Sequence, residues 1–385
     1  MTGLAKININ SNRRARILIA PLDWGLGHTT RCLPIIKVFL AAGAEIVVAG
    51  NERQRLVVAT EFPSIRLIHL QGYDIRYSSV RWMTKAKIAW QIPKILTAIK
   101  RETAWLNSLL GKEKFDLVIS DNRFGLHHHS THCVYITHQL LIATPGSRRL
   151  EDQIQKWHYR YIKQFDECWV PDFEGDPNLA GKLSHPNLLP QTNLKYIGAI
   201  SRFEDGLHSN SNHTDLVILI SGPEPQRTVF ENLLTAELNQ FPGSAVVVRG
   251  LPDSITAKKG FNNVSFFNHL PTVELGELLK NAKVVICRSG YSTVMDLVAL
   301  RKKSILIPTP GQTEQEYLAD FLMGKKYFLA FPQHHFSLST ALERASVFEY
   351  ADLHNFKMNQ LELVVQNSLQ VEFKESIQTD ASRTK

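Results

Sequence analysis

Cysteine is scarce in this chain, and the four present, Cys32, Cys133, Cys168 and Cys287, include no CxxC pair. That excludes a disulfide framework and the usual zinc knuckles, leaving buried thiols in a reducing compartment as the simplest expectation. No HExxH or spaced Cys/His set occurs. The run His127-His128-His129 would point adjacent rings in different directions on regular backbone, so no metal site is expected. Apolar runs are too short for a spanning helix. The apolar segment of MTGLAKININSNRRARILIA is also too short for a signal peptide, so a cytoplasmic location is expected. Neither GxGxxG nor GK[ST] appears, which argues against a nicotinamide-dinucleotide fingerprint and a Walker A loop.

What is present describes a globular protein: 385 residues, 44% hydrophobic and 21% charged, with a net charge of +8. The length favours two domains. The basic surplus suits a polyanionic ligand or an anionic membrane surface. Short apolar strands alternate with helical patterns, beginning at Arg16–Ala20 and recurring at 44–50, 64–70, 114–121, 133–139, 167–172 and 194–200. The first helix is expected from Cys32 to Ala42 and another across Ser79 to Leu110, begun anew or kinked at Pro93. After the Ser/Asn/Asp-rich stretch 201–215 the rhythm restarts, with strands at 215–222, 244–250, 263–269, 282–290 and 303–311. The expected fold is α/β, with two Rossmann-like, doubly wound parallel-sheet domains facing across a cleft. Their expected bounds are 15–200 and 215–365, joined by a linker at 201–214 and flanked by flexible tails at 1–14 and 366–385.

Ligands of such sheets bind outside the carboxyl ends of the strands, so the strand-to-helix loops are the candidate sites. DWGLGHTTR (23–31) puts Gly25, Gly27, His28 and Thr29 where the first strand turns into a helix. The glycines permit a compact turn and His28 offers a titratable imidazole; a plain turn with a threonine cap is the alternative. Asp121 ends a buried strand, where it can act as base or orient His28, and His138 ends another. CRSGYSTVMD (287–296) is the better phosphate seat. Ser289, Gly290 and Thr293 supply small donors at a helix start, Arg288 a counter-charge, and Asp296 a carboxylate for a sugar diol or for a capping box with Thr293. PTPGQTEQEYLAD (308–320) adds Thr313 and Gln315, while SGPEPQR (221–227) adds Ser221 and Gly222 and puts Arg227 toward solvent. The segment 73–105 interleaves aromatic, aliphatic and basic residues, as a helix packed on one face, an acceptor-binding element or a membrane-contact surface would.

At these loops the chain resembles a nucleotide-sugar-dependent glycosyltransferase of the two-Rossmann-domain type, GT-B. It is most similar to family 28, the group containing the bacterial N-acetylglucosaminyltransferase of lipid-linked peptidoglycan synthesis. WGLGHTTRCLP resembles that family's amino-terminal Gly-Gly-His-Pro loop, and CRSGYSTVMDLVALRKKSILIPTPGQTEQEYLAD resembles its donor-binding block. Asp296 stands where the family typically has glutamate, and Glu316 replaces the second of two glutamines. The resemblance implies inverting transfer of a hexosyl or N-acetylhexosaminyl group from a nucleotide-diphosphate sugar, UDP-linked by preference, without a cofactor or obligatory metal. It places Ser289, Gly290, Thr293 and Arg288 about the diphosphate, Asp296 and Gln315 on ribose or sugar hydroxyls, and His28 or Asp121 as proton acceptor. The acceptor is left open among glycan, lipid-linked and small-molecule classes, with membrane contact through 73–105 on the inner face of the cytoplasmic membrane as one arrangement. No nucleic acid is expected. A nucleotide-sugar 2-epimerase and a non-catalytic nucleotide-sugar-binding protein are the alternatives on the same fold.

Overall fold

The computed structural model describes residues 14–73, 92–142, 148–203, 213–366 and 368. The first domain is built on β1 (Arg16–Pro21), β2 (Glu45–Gly50), β3 (Arg66–His69), β4 (Leu117–Asp121), β5 (His132–Ile136), β6 (Glu167–Val170) and β7 (Asn193–Tyr196). These form one parallel sheet in the order β3-β2-β1-β4-β5-β6-β7. Its helices are α1 (Gly27–Ala41), α2 (Glu52–Glu61), α3 (Ile92–Leu110) and α4 (Arg148–Ile162). Central strands covered on both faces need continuous apolar runs, and Ile17, Leu18, Ile19, Val118 and Ile119 are fully buried.

The second sheet, also parallel, contains β8 (Thr214–Leu219), β9 (Ala245–Val248), β10 (Val264–Phe267), β11 (Ala282–Cys287), β12 (Ser304–Leu306) and β13 (Leu329–Ala330). Its order is β10-β9-β8-β11-β12-β13, the same switch of direction beside the first strand. The helices here are α5 (Gln226–Leu238), α6 (Thr272–Asn281), α7 (Tyr291–Ala299), α8 (Thr313–Gly324) and α9 (Leu338–Val347). The two doubly wound sheets match the expected fold class. β13 and α9 extend the second domain beyond the elements expected from sequence.

Two boundaries differ in ways that matter for the site. First, α1 starts at Gly27 rather than Cys32 and runs through Pro34. Proline favours the first helical position and lacks an N–H, which makes a start near it the natural expectation. Here the preceding turn is secured independently. Thr30 N donates to Leu26 O at 2.9 Å, and its hydroxyl donates to Gly27 O at 3.2 Å. His28 and Arg31 are therefore one helical turn apart, on one face. Second, β5 stops at Ile136, so Thr137, His138 and Gln139 leave the sheet at its carboxyl end.

Of the segment 73–105, residues 74–91 lie outside the described residues, as do the tails 1–13 and 369–385 and the linker positions 204–212. Apart from Tyr73, the remainder belongs to α3, whose Ala98, Ile99 and Leu106 are buried while Lys100 and Arg101 are exposed. Among the described residues no helix is long and apolar enough to cross a membrane.

The domains meet over their facing loops. Ser292 Oγ donates to Gly27 O at 2.9 Å, Thr272 N to Glu61 Oε1 at 3.0 Å, and Lys182 N to Tyr317 Oη at 2.9 Å. One apolar cluster runs from Ile17, Phe39 and Trp169 to Tyr291, Val294 and Val365. The chain also returns to the first domain near its carboxyl end. Phe356 packs on Phe173 with ring centroids 5.0 Å apart, and Leu361 and Val365 join the cluster that holds Ile197 and Ala199.

A buried carboxylate fastens α3 to the loop after β4. Glu102 accepts from Tyr73 Oη at 2.8 Å, Arg123 Nη1 at 2.8 Å and Gly125 N at 3.0 Å. A methyl group on Gly125 would collide with the Ile99 carbonyl and come within 2.6 Å of Glu102 Cβ. Gly125→Ala is therefore expected to lower unfolding free energy by about 1–3 kcal/mol in urea titrations, the usual cost of overpacking.

Candidate active site

The site is assembled where β1, β4 and β5 of the first domain end opposite β11 and β12 of the second. Residues 21–26 turn sharply out of β1, with Gly25 at φ +79°, a conformation that disfavours a side chain. Gln54 holds the start of this turn, donating to Pro21 O and Leu22 O at 3.0 Å each. The same amide donates to Thr29 Oγ1 at 3.3 Å, so Thr29 faces inward toward α2.

Asp121, fully buried at the end of β4, organises the first domain's contribution. Arg31 grips it in the forked geometry expected of guanidinium and carboxylate, Nε donating to Oδ2 at 2.8 Å and Nη2 to Oδ1. His28 Nδ1 lies 3.2 Å from both carboxylate oxygens and 2.9 Å from Arg31 Nη2. Burial would raise the Asp121 pKa, but Arg31 and His28 outweigh it and hold the carboxyl well below its usual range. Burial, followed by the charge of Arg31, lowers the His28 pKa below the ordinary imidazole value, with Asp121 opposing. His28 is thus neutral at pH 7. Nδ1 can serve only one of these neighbours. With the ring proton on Nδ1 and donated to the Asp121 carboxylate, the nearby Arg31 Nη2 is a contact and not a hydrogen bond, and Nε2 is the bare nitrogen that can take a proton.

His138 joins this cluster to the second domain. Its Nδ1 is 3.2 Å from Arg31 Nη1, and its Nε2 is 2.7 Å from Glu314 Oε1 in the first turn of α8. Glu314 Oε2 also accepts from Gln139 Nε2. The His138 ring stacks flat on Tyr291, 4.2 Å between centroids and 7° between planes. Tyr291 in turn donates to Pro171 O at 2.8 Å. Burial alone would raise the Glu314 pKa, yet His138, His28 and Arg31 hold it below the usual value.

The donor-block residues divide by environment. Gly290 is the N-cap of α7, and a Cβ added there would meet nothing within 4 Å. Thr293 is partly exposed two residues into α7. Ser289 Oγ donates to Gln315 O at 2.8 Å, and Gln315 Oε1 accepts from Thr309 N at 2.9 Å, which ties β11 and β12 together at this end. Thr313 opens α8. Ser221 and Gly222 are exposed, with Gly222 facing the Thr309 hydroxyl.

Arg288 is fully buried and donates to the carbonyls of Ile307, Pro308 and Gln226 at 3.2, 3.3 and 3.1 Å. Its guanidinium lies 3.9 Å from the Phe230 ring centroid, and burial pushes its pKa down to about 9. It staples three loops as well as charging them. Asp296 is buried at the domain junction, accepting from Ser201 Oγ at 2.8 Å and Arg202 Nε at 3.3 Å. Burial raises its pKa, although Arg202 and Ser201 oppose that shift. Since α7 starts at Tyr291 with Gly290 as N-cap, the Thr293–Asp296 capping box is not formed. Arg227 is likewise not a solvent residue; it is buried, pairing with Glu231 and Glu224 at 2.6 Å each.

Arg31 is the member of the cluster that sequence reasoning missed, whereas Glu314 is legible with Thr313 and Gln315 as a ligand-directed helix start. With α1 placed at Cys32, Arg31 fell outside any helical face, although the i, i+3 spacing from His28 was there to find. What the sequence does not show for Glu314 is its pairing with His138, because that partner is in the other domain. Among the described residues no group of three His, Cys, Asp or Glu side chains is placed to hold a metal.

Comparisons with known proteins bear on this geometry. Residues 252–346, which include the 288–315 loops, match the glycosyltransferase family 28 C-terminal domain. An uncharacterized glycosyltransferase of Methanosarcina mazei is 26% identical over 81% of this chain and 84% of its own length. A UDP-N-acetylglucosamine–N-acetylmuramyl-(pentapeptide) pyrophosphoryl-undecaprenol N-acetylglucosamine transferase of Lawsonia intracellularis is 28% identical over 32% of this chain and 35% of its own. Among solved structures, the glycotransferase of kitacinnamycin superposes with TM-score 0.63 at 13% identity, covering 94% of this chain and all of that one. Spinosyn rhamnosyltransferase SpnG complexed with thymidine diphosphate gives TM-score 0.58 at 15% identity, covering 92% of this chain and 100% of that one. With two facing parallel sheets and glycosyltransferases among both its sequence relatives and its structural neighbours, the chain is a glycosyltransferase of the GT-B fold, and its residues 252–346 match the family 28 carboxyl-terminal domain.

Proposed function

We propose that the protein transfers a hexosyl or N-acetylhexosaminyl group, with inversion, from a pyrimidine nucleotide-diphosphate sugar to a hydroxyl-bearing acceptor. The observation that carries this reading is the direct contact between the two halves of the site: the His28–Asp121 cluster is hydrogen-bonded across the cleft to the donor block at Gly27–Ser292 and His138–Glu314. Donor recognition is assigned to Ser289, Gly290, Thr293, Thr313 and Gln315, with Ser221 and Gly222 on the flank. The amino-terminal ends of α7 and α8 stabilise the leaving diphosphate through oriented N–H groups. Arg288 adds charge from behind the loop, and Asp296 sets the loop's position from the junction. The names of the Lawsonia and SpnG proteins, one using UDP-N-acetylglucosamine and one complexed with thymidine diphosphate, support a pyrimidine diphosphate donor.

His28 is assigned as the proton acceptor, its free Nε2 taking the acceptor hydroxyl proton as the oxygen attacks the anomeric carbon and the nucleoside diphosphate departs. Asp121 stabilises the imidazolium that results. A recess beside Asp23, lined by Gly72, Ala98, Glu102 and Trp105, supports acceptor binding on the first domain. A lipid-linked acceptor would bring the protein to the inner membrane surface, and the basic surplus favours that encounter.

Gly290→Ala tests the donor assignment with little structural cost, because the methyl group enters open space. The variant should keep its Tm within about 4 °C of wild type. Binding of UDP, TDP and their sugars, measured calorimetrically, should weaken at least ~10-fold as the methyl crowds the diphosphate. Unchanged binding, or no binding of any nucleotide by the wild-type chain, would defeat the donor assignment.

The base assignment is tested by acceptor-stimulated release of nucleoside diphosphate between pH 5 and 9. Activity should rise as His28 loses its proton, with a midpoint below the ordinary histidine value, and then level off. Asp121→Asn removes the anion that favours the imidazolium, so the acid limb should move to lower pH and the plateau fall by about 100-fold or more. His28→Gln should abolish the limb. Sugar conversion without acceptor would indicate the epimerase reading instead.

A further inference from the structure

The contact between His138 and the two charged groups that flank it determines where its proton sits. A guanidinium can only donate hydrogen bonds. Arg31 Nη1, 3.2 Å from His138 Nδ1, therefore requires Nδ1 to accept. With Nδ1 accepting, the ring proton is on Nε2, where Glu314 Oε1 accepts it at 2.7 Å. The ring lies flat on Tyr291, which holds its plane and so the directions in which both nitrogens point. Arg31 is the shared element: the guanidinium that needs this acceptor also grips Asp121 and touches His28 Nδ1.

We propose that Glu314, from the donor-binding domain, is a positioning residue for the acceptor-side cluster: it holds His138 in the Nε2–H tautomer, so that Arg31 keeps an acceptor for Nη1 and remains seated against Asp121 and His28. The inference deepens the transfer reading by making the seating of the base depend on closure of the two domains. Without Glu314 the Nε2–H tautomer loses its acceptor and is favoured by Arg31 alone, so a proton on Nδ1, where it opposes Arg31 Nη1 and loosens the guanidinium, becomes more accessible. The groups that face His28 are Asp121 from β4, Arg31 from α1 itself, His138 from the segment after β5 and Glu314 from α8. Cys32 adds its thiol against Asp121 Oδ2 at 3.7 Å. Side-chain exposures of 1%, 0% and 5% for Arg31, Asp121 and His138, against 17% and 30% for His28 and Glu314, leave the cluster open to solvent chiefly at its two ends.

The test is a pH titration of the full chain labelled with ¹³C and ¹⁵N histidine, the His28 and His138 signals being assigned with His28→Gln and His138→Gln. In wild type at neutral pH, the ¹⁵N shifts of His138 should show Nε2 protonated and Nδ1 bare. Glu314→Gln keeps an acceptor oxygen but loses the charge, and the Gln139 amide can turn to meet it. This variant should keep the tautomer and lower the His28 midpoint. Glu314→Ala loses charge and acceptor together. It should weaken the tautomer preference, and its His28 midpoint should lie above that of Glu314→Gln, because Arg31 presses less on the ring.

A protonated Nδ1 on wild-type His138 overturns the proposal before any variant is made. So does an unchanged tautomer in Glu314→Ala, coincident His28 midpoints in the two variants, or no fall in Glu314→Gln. Should Glu314→Ala not fold, the wild-type tautomer and the Glu314→Gln midpoint still decide. The titration uses no sugar nucleotide, so its outcome is independent of whether donor binding is found.

Discussion

The buried pair of Asp121 and Arg31 is the constraint around which the rest of the site is arranged. An ionised carboxylate without solvent is tolerable only if its oxygens are met by donors, and losing one partner of such a pair costs about 3–5 kcal/mol. Satisfying Asp121 requires the end of β4 to lie beside the first turn of α1, which in turn requires the chain to reverse tightly after β1. Strand register supplies the first condition, since β1 and β4 pair with Pro21 opposite Asp121. The left-handed Gly25 and the Gln54 side chain supply the second. With both met, His28 and Arg31 have little freedom left, because they belong to the same helical turn.

The second domain repeats the same strand-to-helix geometry for a different purpose. Where the first uses a charged fork, the second uses backbone: Ser289, Gln315 and Arg288 are bonded to main-chain groups and hold the loops after β11 and β12 in place. That leaves Gly290 and the partly exposed Thr293 at the lip of α7. Polar side chains that look like ligand groups in sequence are thus in part the scaffold that aims backbone N–H groups. An oxyanion leaving group is well served by such donors, which are oriented before it forms.

The fold was legible because its signals are local. Continuous apolar runs separated by helical periodicity imply covered parallel strands, and two successions of them imply two sheets. Asp121 could be singled out because an acid ending a buried strand has few ordinary explanations, and the 287–320 block because it combines several small polar residues at fixed offsets. The start of α1 could not be placed, since Pro34 mimics a first helical residue and the competing stabilisation comes from Asp121, far away in sequence. Partners from the other domain were equally out of reach: Asp296 is met by Ser201 and Arg202, and His138 by Glu314. A carboxylate that holds a junction and one that awaits a ligand look identical in a single sequence.

The return of the chain to the first domain has a mechanical consequence. Near its carboxyl end the chain comes back across the junction, where Phe356 settles on Phe173 and Leu361 and Val365 join the apolar cluster that both domains share. Parting the two sheets therefore requires more than breaking the polar contacts at Gly27, His138 and Glu314, because the Phe356–Phe173 ring contact and the apolar cluster shared by both domains must be exposed to water as well.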